Sequence, residues 1–184
     1  MSLRPSLKLA SKLAGALVVA GAMLTASYAV ANHPLGAPDG WWVTIDDDGV
    51  TKKSILKIFT YRDKIYGKVD ALLQKPQDTL CEKCKGDLKC KPVKGMLIMS
   101  GLSWDESKMR WTEGRILDPE KGKRYWISIG YKDGTQGRVI DAKGSLDRNG
   151  FIGRRQEWQW CTSSCRDELL ATVQETGATN EGCR

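Results

Sequence analysis

One histidine, His33, occurs in the 184 residues, and that scarcity excludes more chemistry than any motif present. A histidine-activated nucleophile, a His general base and a His-ligated metal centre all need imidazoles that this chain does not have. No Gly-rich phosphate loop and no Gly-x-Ser-x-Gly elbow occurs either, so phosphoryl transfer and serine hydrolysis have no recognisable machinery. No apolar run reaches the roughly 20 residues that a bilayer-spanning helix requires. Leu13 to Leu24 is shorter and is weakened by Gly15 and Gly21. No enzyme activity and no cofactor are expected.

What the first segment does contain is the three-part pattern of an export signal. Arg4, Lys8 and Lys12 precede the apolar stretch without an acidic residue, and Ala29-Val30-Ala31 supplies the small-x-small pattern of a signal-peptidase site. The expectation is a signal peptide over 1–31, cut between Ala31 and Asn32. No Cys lies near that point to carry a lipid, so no stable membrane anchor is expected. Cleavage would leave 153 residues, the size of one domain. It would also reduce 29 basic residues to 26 against 22 acidic ones, so the net +7 falls to +4. The remaining charges alternate, as in Asp63-Lys64, Glu82-Lys83 and Asp118-Pro119-Glu120-Lys121. A nucleic-acid surface would gather them on one face, and no nucleic-acid partner is expected.

All six cysteines lie beyond the expected cut: Cys81, Cys84, Cys90, Cys161, Cys165 and Cys183. An even number in an exported protein points to disulfides. Cys81-x-x-Cys84 admits three chemistries. A redox dithiol needs a helix start beside a βαβ unit, haem attachment needs His where Lys85 stands, and zinc must compete with oxidation. A structural disulfide fits the compartment best, with the other four cysteines expected to pair among themselves and to tie the tail to the domain. The six cysteines allow many pairings, and sequence does not choose between them.

From residue 39 to residue 160 the chain reads as eight strand-like runs: Trp41 to Asp46, Ser54 to Tyr61, Lys64 to Leu73, Gly95 to Leu102, Arg110 to Leu117, Arg124 to Tyr131, Gln136 to Leu146 and Phe151 to Trp160. Alternation is clearest at Tyr125, Ile127, Ile129 and Tyr131, which share a face. Asp48-Gly49, Asp133-Gly134 and Asn149-Gly150 are turn dipeptides. Asp46-Asp47-Asp48-Gly49 lacks the spaced oxygens of a calcium loop and is read as a hairpin turn. Short links and no crossover helix predict an all-β antiparallel up-and-down arrangement. Eight strands can close into a barrel, with a two-sheet sandwich as the rival. Residues 74–94 form one long polar loop. After Trp160, Ser164 can cap a short helix that Gly177 can stop.

These runs carry a resemblance. Gly40-x-Trp42-x-Thr44-x-Asp46-Asp47, Tyr66-Gly67-Lys68, Cys81-x-x-Cys84-x-Gly86, Gly114-x-Ile116-Leu117-Asp118-Pro119-x-x-Gly122-Lys123-x-Tyr125 and Gly153-Arg154-x-Gln156-x-Trp158 resemble the exported bacterial family termed domain of unknown function 2147. Arg155 and Ala142-Lys143-Gly144 depart from its usual pattern. The resemblance implies a lipocalin-like (calycin) β-barrel, here an eight-stranded antiparallel barrel over 40–160. Residues 32–39 would precede it and a Cys-containing helical tail over 161–184 would follow. It implies no established activity.

Trp42 with Arg154 also matches the lipocalin arrangement in which a first-strand Trp packs under a late Arg and closes the barrel floor by cation–π stacking. Arg155 is the alternative partner. Ile152, Arg154, Gln156, Trp158 and Trp160 share one face of the last strand. If they point inward, the interior suits an amphipathic ligand, with Tyr66, Trp111, Tyr125, Trp126, Gln156 and Trp158 as candidate cavity residues. The alternative is an interior filled by its own side chains. The expected function is binding or carrying a small apolar or amphipathic ligand in the periplasm. A second expectation is an envelope-protein partner engaged through loop 74–94 and the Cys-bearing tail. Thiol-redox or zinc chemistry is the third.

Overall fold

The computed structural model describes residues 35–183; the expected signal peptide, its cut at Ala31-Asn32 and His33 lie outside them. Eight strands follow in chain order: β1 (Gly40–Ile45), β2 (Lys52–Tyr61), β3 (Lys64–Leu72), β4 (Leu97–Asp105), β5 (Arg110–Asp118), β6 (Lys123–Tyr131), β7 (Val139–Ser145) and β8 (Gly153–Cys161). Each pairs antiparallel with the next, and β1 pairs with β8 at Trp42↔Trp160, so the sheet closes into a barrel. Closure removes both edges that an open sheet would expose.

The ends of some elements differ from those read in the sequence. Strand β4 runs on to Asp105, because Trp104 pairs across the hairpin with Trp111, their rings 4.9 Å apart. The turn moves to 106–109, and Met109 takes the left-handed conformation that closes it. The last strand begins at Gly153, since Phe151 and Ile152 belong to the turn before it. Helix α1 (Ser163–Leu170) is capped by the Thr162 hydroxyl, which accepts from the Cys165 N–H, and not by Ser164. It ends well before Gly177.

The barrel's two ends are distinct. The end holding the β2–β3, β4–β5 and β6–β7 turns is the floor. Trp42, Ile58, Ile65, Met99, Leu102, Trp111, Ile129 and Ile140 fill it, each at most 2% exposed. A second apolar cluster lies outside the barrel. Val43, Ile45, Ile55 and Ala71 point outward from β1–β3 and are covered by Leu169 and Leu170 of α1. Ala71 faces outward because Ile55 opposes it while Leu56 opposes Val69, a bulge that reverses the alternation of β3. Cys161–Cys165 joins β8 to the helix, and Arg166 Nε donates to Asp70 Oδ2 at 2.6 Å.

Candidate functional site: the open end of the barrel

On four of the strands the inward side chains shrink or turn polar away from the floor. Trp42 is followed by Thr44 on β1, Leu56 by Ser54 on β2, and Ala142 by Gly144 on β7. On β8, Trp158 gives way to Gln156 and Arg154. The result is a cavity of about 1020 Å³ in the mouth half of the barrel, walled by Leu56, Val69, Ile98, Ile127, Ala142 and Trp158. Trp158 is 2% exposed, and its indole nitrogen has no hydrogen-bond partner. Thr44 Oγ1 and Ser54 Oγ lie 2.8 Å apart on one wall. Gln156 Nε2 donates to Asp47 Oδ1 at 3.1 Å, and Arg154 forms an ion pair with the same carboxylate.

Three segments surround the mouth. The β5–β6 turn at 119–122 reaches across it, and Glu120 accepts from Lys53 Nζ at 2.9 Å and pairs with Lys75 Nζ at 3.0 Å. Burial pushes the Glu120 carboxyl up, but hydrogen bonds and charge from the two lysines outweigh it and hold it at about 2. Next to it, Gly122 has φ +65 and packs so close to loop 74–94 that a Cβ there would sit 1.8 Å from the Lys83 carbonyl oxygen. Loop 74–94 is itself knotted by Cys81–Cys84, by Cys81 N–H donating to Lys91 O at 2.8 Å, and by a bridge between Leu80 and Pro92. Cys81 and Cys84 are buried in the main core.

The third segment is the tail. Beyond α1 it runs back up the barrel, and Gly177, Ala178, Thr179 and Asn180 line the mouth. Its polar groups are spent on the loop. The Asp78 carboxylate accepts from the Gly177 and Ala178 N–H groups at 3.0 and 3.1 Å, and Asn180 Oδ1 accepts from Leu80 N–H at 2.8 Å. Cys90–Cys183 ties the end of the tail to the loop.

Of the six residues expected to line a cavity, Tyr125, Gln156 and Trp158 do so. Trp111 is in the floor, 1% exposed and edge-on to Tyr131 at 5.6 Å. Tyr66 stacks on Phe59 at 5.8 Å beside Tyr61, and it neighbours the inward Ile65 and Gly67, so it faces outward. Trp126 lies outside beneath Arg115, whose guanidinium is 4.4 Å from the ring centroid. Tyr125 and Trp126 are adjacent on one strand and cannot both face in.

The expected Trp42–Arg154 closure does not form. Arg154 lies six residues before Trp160 on β8, about 20 Å nearer the mouth at strand rise, and pairs there with Asp47. Arg155, the alternative, pairs with Asp141 on the outer surface. Trp42 instead donates from Nε1 to Pro38 O at 2.8 Å and meets Trp160 edge-on at 5.1 Å. Gly40 makes this possible: a Cβ there would fall 2.3 Å from the Trp160 ring. The Thr44–Ser54 pair, the Glu120 contact and the tail's position have no counterpart among the sequence expectations. The inward size taper was the available signal for the first of these.

All six cysteines are joined, as Cys81–Cys84, Cys90–Cys183 and Cys161–Cys165, and no free thiol remains among the described residues. Among those residues, no group of three or more His, Cys, Asp or Glu side chains could hold a metal ion, and no helix is long and apolar enough to cross a membrane. The Asp46–Gly49 segment is a hairpin turn in which Asp48 Oδ1 accepts from Val50 and Thr51 N–H.

A closed eight-stranded up-and-down barrel with a filled floor and an open mouth defines a lipocalin-like protein. Among solved structures the chain is similar to protein HP1028 from the human pathogen Helicobacter pylori, which is described as belonging to the lipocalin family. The TM-score is 0.62 at 15% identity, covering 80% of this chain and 99% of that one, a likeness of fold alone. The chain belongs to the family described as "Uncharacterized protein conserved in bacteria (DUF2147)", whose model matches residues 40–160, the barrel itself. No curated protein matches it in sequence.

Proposed function

We propose that this protein binds and carries a small apolar or amphipathic molecule in the mouth half of its barrel, in the periplasm or outside the cell. The observation that carries this reading is the contrast within one interior: a floor filled by large buried side chains and, above it, about 1020 Å³ walled mainly by apolar side chains. That volume is at the top of the range of small-molecule sites, about 300–1,000 Å³. An apolar body would lie against Leu56, Val69, Ile127 and Trp158. Its head would reach the rim, where Lys83 and Lys123 line the opening without an ion pair among the described residues, against one unpaired carboxylate, Glu82. This charge favours an acidic head. The Trp158 N–H, the innermost donor of β8 at the cavity, would serve a ligand oxygen that reaches that depth. Three disulfides and the export pattern in the sequence support an oxidising compartment.

Titration of the purified protein with dodecanoate, dodecanol and dodecyltrimethylammonium below their micellar concentrations tests the reading, followed by tryptophan fluorescence. Dodecanoate is expected to bind at least tenfold more tightly than the cationic amphiphile, with dodecanol between them. If none of the three binds, the proposed cavity function is refuted.

The structure gives a protein-partner role through the loop and tail less to work with. The hydrogen bonds and the disulfide of both segments are directed at each other, which makes them a cover for the mouth.

A further inference from the structure

The four most exposed large apolar side chains among the described residues lie at one end of the barrel. At the mouth, the β7–β8 turn presents Leu146 at 67%, Phe151 at 86% and Ile152 at 66% exposure, and the β1–β2 turn adds Val50 at 79%. The β7–β8 turn is held firmly in this form. Leu146 N–H donates to Ile152 O at 2.9 Å, and the Asp147 carboxylate accepts from the N–H groups of Phe151 and Ile152 at 2.9 and 2.8 Å. The apolar groups therefore protrude from an ordered turn, where a solvated hairpin would place polar residues.

Cations flank the same turn. Leu146 lines a side pocket of about 370 Å³ together with Lys85, Lys123 and Arg124, and no carboxylate lines it. Ile152 borders the main opening with Lys83 and the neighbouring Glu82. Lys83, Lys85, Lys123 and Arg124 form no ion pair among the described residues, whereas the nearby Arg148 and Arg154 are paired with Glu113 and Asp47.

We infer that this rim docks on an anionic lipid surface. Protruding aromatic and aliphatic tips insert into the acyl boundary while surrounding cations meet acidic headgroups, and neither signal alone holds a protein at a bilayer firmly. A protein partner would call for a broader complementary face, whereas these groups stand on turn tips beside an opening. The opposite end presents Leu35, Tyr61, Met109 and Trp160 on four separate segments, at 57%, 53%, 49% and 41% exposure. Docking by the rim turns the mouth toward the bilayer, so a ligand could pass between lipid and barrel without crossing water. That last use rests on the cavity reading, whereas the docking rests on the rim residues themselves.

The test is co-sedimentation of the purified protein with phosphatidylcholine vesicles, with and without roughly 30 mol% phosphatidylglycerol. The wild type is expected to partition at least tenfold more strongly onto the anionic vesicles, and less as salt is raised. F151S/I152S is expected to lose at least tenfold of that partitioning, and M109S, at the opposite end, less than twofold. Equal binding by F151S/I152S, equal loss in M109S, or no anionic preference in the wild type would overturn the docking surface. So would a rim-dependent dimer, seen by sedimentation velocity, that does not bind vesicles. A dodecanoate titration of the same samples separates the two proposals. Retained dodecanoate binding without vesicle binding refutes only the docking, and the reverse outcome upholds the docking while refuting the cavity.

Discussion

The floor and the mouth of this barrel are built from the same eight strands, yet they pack in opposite ways. At the floor, Trp42, Trp111, Ile58, Ile129 and Ile140 meet in the interior and exclude water. At the mouth, the same strands turn in Thr44, Ser54, Gly144 and Gln156, and the interior stays open. Barrel diameter is set by strand number and stagger and does not change between the ends. The smaller and more polar inward side chains of β1, β2, β7 and β8 therefore open the mouth half, where the floor half is core. Stability should reside in the floor, and the mouth should tolerate substitutions that the floor does not.

The largest effect is expected from truncating the floor. Trp111→Ala should cost about 3–5 kcal/mol by urea denaturation, the range for emptying a buried aromatic site. Tyr125→Ala, half-buried at the cavity, should cost less than about 1.5 kcal/mol. Equal costs would erase the distinction between the two halves.

Next is the cover of the mouth. Cys90–Cys183 closes 93 residues of chain, and Cys90→Ser/Cys183→Ser should lose about 2–4 kcal/mol. Hydrogen exchange should show where: amides of 177–180 lose protection while those of β5 to β7 keep theirs. Loss of protection throughout the barrel would mean that the tail is part of the folding core and not a cover.

A pair of glycines sharpens the comparison with one methyl group each. At Gly114 a Cβ would lie 2.3 Å from Leu102 Cγ, whereas at Gly144 it would meet nothing within 4 Å. Gly114→Ala should cost about 1–3 kcal/mol through overpacking, and Gly144→Ala should change stability by less than about 0.5 kcal/mol.

Glu120 gives the smallest effect. Its carboxyl is held at about 2, below its ordinary value of 4.5. The contribution is therefore fully present above pH 4.5 and is lost as pH falls toward 2. Because the side chain is 43% exposed, the loss should stay below about 1 kcal/mol. Glu120→Gln should flatten that limb of the stability curve, measured as the urea midpoint against pH.

Much of the fold was legible in the sequence because turn dipeptides and period-two runs are local signals. Eight runs with short links leave a barrel or a sandwich, and the family resemblance carried by motifs such as Gly40-x-Trp42 and Cys81-x-x-Cys84 implies the lipocalin-like barrel. The site was only half legible. Facing is a parity, and the bulge opposite Ile55 and Leu56 reverses it within β3, turning Ala71 out while Val69 stays in. Aromatic character was a poor guide to the lining, since Tyr66 and Trp126 cover the outside and Trp111 plugs the floor. Trp42 lies in the floor, and Arg154, near the far end of its strand, pairs with Asp47 and not with it. The tail's return to Asp78 and Leu80 joins residues about a hundred positions apart through hydrogen bonds that leave no periodic trace.

The central claim is that the mouth half is a ligand cavity, and filling it tests that most directly. Gly144→Phe places a ring where the wild type has open space, so dodecanoate titration of the two proteins isolates the cavity from the fold. Dodecanoate affinity is expected to fall at least tenfold while the urea midpoint is unchanged or raised. Undiminished dodecanoate binding in the filled barrel would contradict the claim.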